Sequence, residues 1–175
     1  MLTQWNKILT ADCEVIEIGS QNIYPIFRVG YTSLMETTEK VYTNNEITTC
    51  KDVTVLIRDP AQRFVSGVNE YCRTNNLDLM QTHSQIKNGS LVDRHFVPQW
   101  FWILHLYKFY RGSLMLRPFS DISDLTKIHR RKDEPKQQVP LLREFIDQDY
   151  VLIEKYMNTT LDISELVKEY RNVLS

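Results

Sequence analysis

DVTVLIRDPAQRFVSGVNEY, residues 52–71, changes its period halfway along. Val53 to Ile57 is a short, β-branched apolar run, the pattern of a buried strand. Arg58 ends the run, and Asp59-Pro60 opens a helix. Asp is a good N-cap, and Pro at the first helical position forfeits no bonded N–H. Phe64, Val65, Val68 and Tyr71 recur at helical spacing and give that helix an apolar face. The Arg58 guanidinium therefore lies at the carboxyl end of a strand, beside a helix N-terminus, with Ser66 about two turns into the helix. A strand end, a fixed cation and a helix dipole together suit an anion, phosphate first. The same residues also suit a plain capped turn, with Arg63 paired to Asp59 or Glu70 along the helix. Spacing alone leaves both readings open.

Upstream, Cys13 to Ile18 alternates weakly, as an edge strand or entry segment would. NIYPIF, residues 22–27, reads as a strand that Pro25 places near an edge or an irregularity. Arg28-Val29-Gly30 turns the chain, and Tyr31-Thr32-Ser33-Leu34-Met35 opens a helix expected to reach about Val41. Two strand–turn–helix units with short connections favour a parallel α/β sheet with helices packed on it. In FRVGYTSL, Gly30 permits close approach of a ligand, and amides at the helix start can face phosphate oxygens. Thr32 and Ser33 add hydroxyls, and Arg28 adds a fixed charge. GxxxxGK[ST] is absent, so this is not a Walker A loop. Taken alone, a Ser/Thr-rich helix start is usually just a cap.

The two turns gain meaning together. RDPAQRFVSG, residues 58–67, resembles the 3′-phosphate-binding segment of sulfotransferases, RDPxxRxxSxx. FRVGYTSL, residues 27–34, resembles their 5′-phosphosulfate loop, commonly PKxGxTSL, with Arg28 where that family usually has Lys. HFVPQ, residues 95–99, looks like the HxxPQ segment of carbohydrate and uronyl 2-O-sulfotransferases, and DQDYVLIEKY, residues 147–156, resembles the closing helix. The segments follow the family's order.

The resemblance implies an α/β, three-layer P-loop NTPase-like fold with a short central parallel β-sheet flanked by helices. It implies transfer of a sulfuryl group from the cofactor 3′-phosphoadenosine 5′-phosphosulfate (PAPS) to a hydroxyl acceptor, releasing 3′,5′-adenosine bisphosphate (PAP). Arg28, Val29, Gly30, Tyr31, Thr32 and Ser33 would then hold the 5′-phosphosulfate, with Arg28 bearing leaving-group charge. Arg58 and Ser66 would hold the 3′-phosphate, Arg63 would be structural, and His95 would be the general base. Imidazole suits that work near neutral pH, its ordinary pKa being about 6.5. The expected acceptor is a carbohydrate, with a lipid or small metabolite behind it. Arg in place of Lys at position 28 keeps the charge but changes its shape and reach.

The remaining segments read as scaffold. Residues 73–90 are polar, with a short helix possible around Leu77–Ile86. In WFWILHLYKFY, residues 100–110, period does not separate helix from strand; most of these rings suit a core, and Trp100 is a candidate to line an acceptor pocket. Ser113–Leu116 reads as a strand, Pro140 to Met157 as an amphipathic helix, and Asp162 to Leu174 as a final helix capped by Asp162. The charged segment 127–138 offers Arg130, Arg131 or Lys132 to fold over the phosphates, or is a solvated connection.

With 175 residues, 42% hydrophobic and 25% charged, the chain suits one domain, 1–175, of ordinary globular composition. A net charge of −1 gives no bulk attraction to nucleic acid or an anionic membrane. Cys13, Cys50 and Cys72 form no CxxC pair, which fits a reducing compartment and argues against a zinc site. No signal-like segment or membrane-length run is present, so a cytoplasmic protein is expected. No acidic cluster with metal-ligand spacing is visible, and no metal is expected. Two rivals remain: a non-catalytic nucleotide-binding protein on a sulfotransferase-like fold, which the short chain and Arg28 allow, and a small-molecule kinase. The kinase would need a Walker-type Lys-Ser/Thr and a magnesium-binding acid, and no convincing pair stands out.

Overall fold

β4, Asp52–Ile57, occupies the interior of the sheet. Val55, Leu56 and Ile57 are buried in succession. Neighbouring side chains of a strand point to opposite faces, so both faces are covered there. The computed structural model describes residues 12–124 and 136–174. In chain order these form β1 (Glu14–Ile18), β2 (Gln21–Tyr24), α1 (Tyr31–Thr37), β3 (Lys40–Thr43), β4, α2 (Pro60–Asn75), α3 (Leu79–Lys87) and α4 (Gln99–Tyr107). There follow β5 (Ser113–Pro118), α5 (Arg143–Tyr156), β6 (Thr160–Asp162) and α6 (Ile163–Leu174), with 3₁₀ turns at Asn44–Thr49 and Phe119–Asp124.

The chain is an α/β fold with a mixed six-stranded sheet, ordered β3-β1-β2-β4-β5-β6 and flanked by helices. β4 runs parallel to β2 and to β5. The expectation of a parallel sheet is thus met only in these three strands. β1 pairs antiparallel with both β2 and β3, and β6 antiparallel with β5. The reason is local. Ile18 pairs with Gln21 across a tight turn at Gly19, φ 59°, and so short a link joins only antiparallel strands.

A second correction concerns α1, which ends at Thr37 and not near Val41. The Thr37 and Thr38 hydroxyls bond back to the carbonyls of Ser33 and Leu34, at 2.9 and 2.8 Å. Such bonds weaken a helix, and the β-favouring KVYT that follows pairs with β1 instead. β1 is consequently an inner strand. β2 stops before Pro25.

The helix opened by Asp59-Pro60 forms as read. Asp59 Oδ1 accepts the Gln62 N–H at 2.7 Å, and Asn76, left-handed at φ 52°, terminates the helix. The aromatic run after Pro98 is helical. Its N-terminal amides are capped from a distance by Asp149, a contact that no local period announces. Trp100, 3% exposed, stacks on Tyr170 with ring centroids 5.9 Å apart. It is therefore a core residue between α4 and α6. α5 begins at Arg143, three residues after Pro140, and β6 had no sequence signal. Arg130, Arg131 and Lys132 lie outside the described residues. No helix among the described residues is long and apolar enough to cross a membrane.

Candidate functional site

β2 and β4 are parallel neighbours with Tyr24 opposite Val55. The turns that leave their carboxyl ends, carrying Arg28 and Arg58, therefore emerge side by side. Open α/β sheets place ligands at such strand ends. Arg28 Nη2 donates to Ser66 Oγ at 2.7 Å, so the turn after β2 meets α2 directly. Glu70, one turn further along α2, comes within 3.9 Å of Arg28 Nη1. Arg28 has φ 68°, a left-handed conformation unfavourable for a bulky side chain. Gly30, also at φ 68°, precedes α1.

The rest of the turn is unequal. Val29 is fully buried, and its amide donates to the Ile26 carbonyl at 3.1 Å. Tyr31 packs on Phe27 with centroids 5.6 Å apart and directs its hydroxyl toward Glu14 at 3.4 Å. Burial, then the Glu14 charge, pushes the Tyr31 phenol up. Thr32 is exposed and Ser33 half-buried.

Arg58 is held by its main chain. Its N–H donates to Gln99 Oε1 at 2.9 Å and its carbonyl accepts from Gln99 Nε2 at 2.8 Å. Its guanidinium lies 5.8 Å from the Phe119 ring centroid. Gln99, fully buried, thus closes the HFVPQ segment onto the strand end that bears Arg58.

Arg63 is the hub. Only 2% exposed, it donates from Nε to the Phe27 carbonyl at 3.2 Å and from Nη1 to the Val97 carbonyl at 2.5 Å. One side chain thereby ties together the turn after β2, the start of α2 and the HFVPQ segment. Its Nη2 is a buried donor without a partner among the described residues. Burial draws this guanidinium down to about 10; Asp149 pushes it back up, and Arg28 and Arg58 add to the fall. Three guanidinium groups thus share one field. The local pairing of Arg63 with Asp59 or Glu70 does not form: Glu70 pairs with Arg73, at 2.6 Å, and with Arg28.

Asp149 supports the same region from α5. Its carboxylate oxygens accept the amides of Gln99 and Trp100, each at 2.8 Å, at the positive end of α4. Burial pushes Asp149 up to about 6 against the pull of the Gln99 amide, Arg63 and the Trp100 amide.

His95 stands at the edge of this cluster. Its ring meets Phe27 edge-on at 4.8 Å and Tyr71 at 5.8 Å. Its Nδ1 lies 2.5 Å from Asp93 Oδ1, which also accepts the His95 amide at 2.9 Å. Gly67 makes room for it: a Cβ there would be 2.7 Å from the His95 carbonyl carbon and closer still to its oxygen.

The residues selected from sequence are thus brought together unequally. Arg28 and Ser66 touch, His95 packs beside them through Phe27, and Arg58 shares the Arg63 field. Thr32 and Ser33 make no contact with Ser66, Arg58 or His95 among the hydrogen bonds described. Sequence reasoning passed over Asp93, Gly67 and Asp149. Only Asp93, two residues from a candidate base, carried a signal that could have found it. Arg94, its guanidinium 4.6 Å from the Phe27 ring centroid, went unnoticed as well. Among the described residues no group of three or more His, Cys, Asp or Glu could hold a metal ion. Comparison with protein-family models, curated proteins and solved structures finds no match to this chain.

Proposed function

We propose that this chain is a sulfotransferase, carrying a sulfuryl group from PAPS to a carbohydrate hydroxyl on a P-loop-like arrangement of β2, β4 and β5. The observation that carries the reading is the 2.7 Å bond from Arg28 to Ser66, which joins the two phosphate-type turns at adjacent parallel strand ends. The buried Nη2 of Arg63, without a partner among the described residues and beside two further arginines, supports an anion there. A buried donor without an acceptor is costly, and a phosphate oxygen would satisfy it.

Sulfuryl transfer, like phosphoryl transfer, gains most from positioning and from charge placed where the leaving oxygen develops it. Arg28 supplies that charge in this reading. Arg58 and Ser66 anchor the 3′-phosphate, and His95 takes the acceptor proton. Calorimetric titration with PAP, with AMP as control, tests the assignment. Micromolar PAP binding that AMP does not match, and that Arg58→Ala loses, supports it; equal or absent binding of both nucleotides sinks it.

One observation favours a second reading, a non-catalytic nucleotide-binding protein. The Arg28 guanidinium already donates to Ser66 and lies 3.9 Å from Glu70, so its charge is partly neutralised before any leaving oxygen could develop one. PAP binding without turnover over a broad panel of PAPS acceptors would select that alternative.

A further inference from the structure

We propose that Asp93 is the positioning residue of the site, fixing His95 so that Nε2 is the nitrogen offered to the acceptor. This rests on the sulfotransferase reading for the identity of the reaction, and on geometry for the pair itself.

Asp93 engages His95 twice. Its Oδ1 lies 2.5 Å from the ring Nδ1 and 2.9 Å from the backbone amide of the same residue. The first contact sets the tautomer, because a carboxylate oxygen accepts and the imidazole must then donate from Nδ1. The second fixes the carboxylate relative to the backbone that carries the ring. Burial acts to raise Asp93, but the two bonds from His95, together with the charges of His95 and Arg94, outweigh it and hold the carboxyl below the ordinary aspartate range. Asp93 is therefore an acceptor at neutral pH.

The ring is also held from other sides. Phe27 and Tyr71 meet it edge-on, and Gly67 lets α2 close on its carbonyl. Nε2 has no partner among the described residues, whereas Nδ1 is engaged. A base needs this arrangement: one nitrogen bonded to an orienting group, the other bare.

The step balances as follows. The acceptor oxygen forms a bond to sulfur as its proton passes to His95 Nε2. The bond from sulfur to the 5′-phosphate oxygen breaks, and its electron pair stays on that oxygen, giving PAP. Imidazolium forms with its Nδ1–H still directed at Asp93, which stabilises the new charge.

Long-range proton–nitrogen correlation NMR of the His95 ring tests this without turnover. Spectra are taken well above the ordinary imidazole pKa of about 6.5. The expected result is the Nδ1–H tautomer in the wild type and a shift toward Nε2–H in Asp93→Ala, which removes the acceptor that an asparagine Oδ1 would retain, with PAP affinity changed less than about twofold. A wild-type ring in the Nε2–H form overturns the proposal, whether or not the variant folds. An unchanged tautomer in folded Asp93→Ala overturns it as well. Failure of PAP to bind sinks the sulfotransferase reading instead, and does so independently of the tautomer.

Discussion

Arg28 stands where glycine or asparagine is the usual choice, at φ 68°, with its guanidinium on Ser66. Its backbone strain and its side-chain bond can be separated by substitution. Arg28→Ala loses the bond and keeps a Cβ in the left-handed region; Arg28→Gly loses the bond and relieves the strain. Urea denaturation should find Arg28→Gly the more stable of the two by about 1 kcal/mol. Both should bind PAP much more weakly than the wild type. His95→Ala belongs at this scale as well. Turnover should fall by about 10²–10⁴, the usual contribution of a general base, with PAP affinity nearly intact. Unchanged turnover would remove His95 from the mechanism.

Helix α2 joins the candidate phosphate residues to the candidate base. Asp59 and Pro60 start it, Arg63 ties it to Phe27 and Val97, Ser66 accepts from Arg28, and Gly67 admits the His95 carbonyl. Gly67→Ala should therefore cost about 1–3 kcal/mol, although alanine is intrinsically the better helix former. Thermal melts give the loss, and displaced His95 ring resonances give its local cause. If Gly67→Ala instead raises the melting temperature, α2 and His95 are not in close contact. The helix and its cap were legible in RDPAQRFVSG because capping chemistry and the 3.6 period are local. The end of α1 was not, because two threonines and a partner strand from elsewhere in the chain decided it. Helix for WFWILHLY likewise depended on Asp149, fifty residues after Gln99.

At the scale of the whole molecule, Asp149 links α5, α4 and, through its field, Arg63, in a buried region. Its folded pKa, about 6, is above the ordinary aspartate value of about 3.9. The folded chain therefore holds this proton more tightly than the unfolded one. The stability it confers is complete below about pH 4 and is lost as pH rises through about 6. Relative to Asp149→Asn, the wild type should lose stability across that window and differ by a constant amount above it, as thermal melts at stepped pH would show. A constant difference throughout would mean that Asp149 is ionised across the whole range.

By itself the sequence determined the α/β class, the strand–turn–helix units at Arg28 and Arg58, and the caps at Asp59 and Asp162. Each depends on residues within one or two turns of one another. Only the tertiary structure decided that the outer strands run antiparallel, that Arg28 reaches Ser66, that Gln99 grips Arg58, and that Arg63 lies buried between Phe27 and Val97. Those outcomes depend on which distant donor meets which acceptor once water is excluded. The local period of the chain carries no record of such pairings.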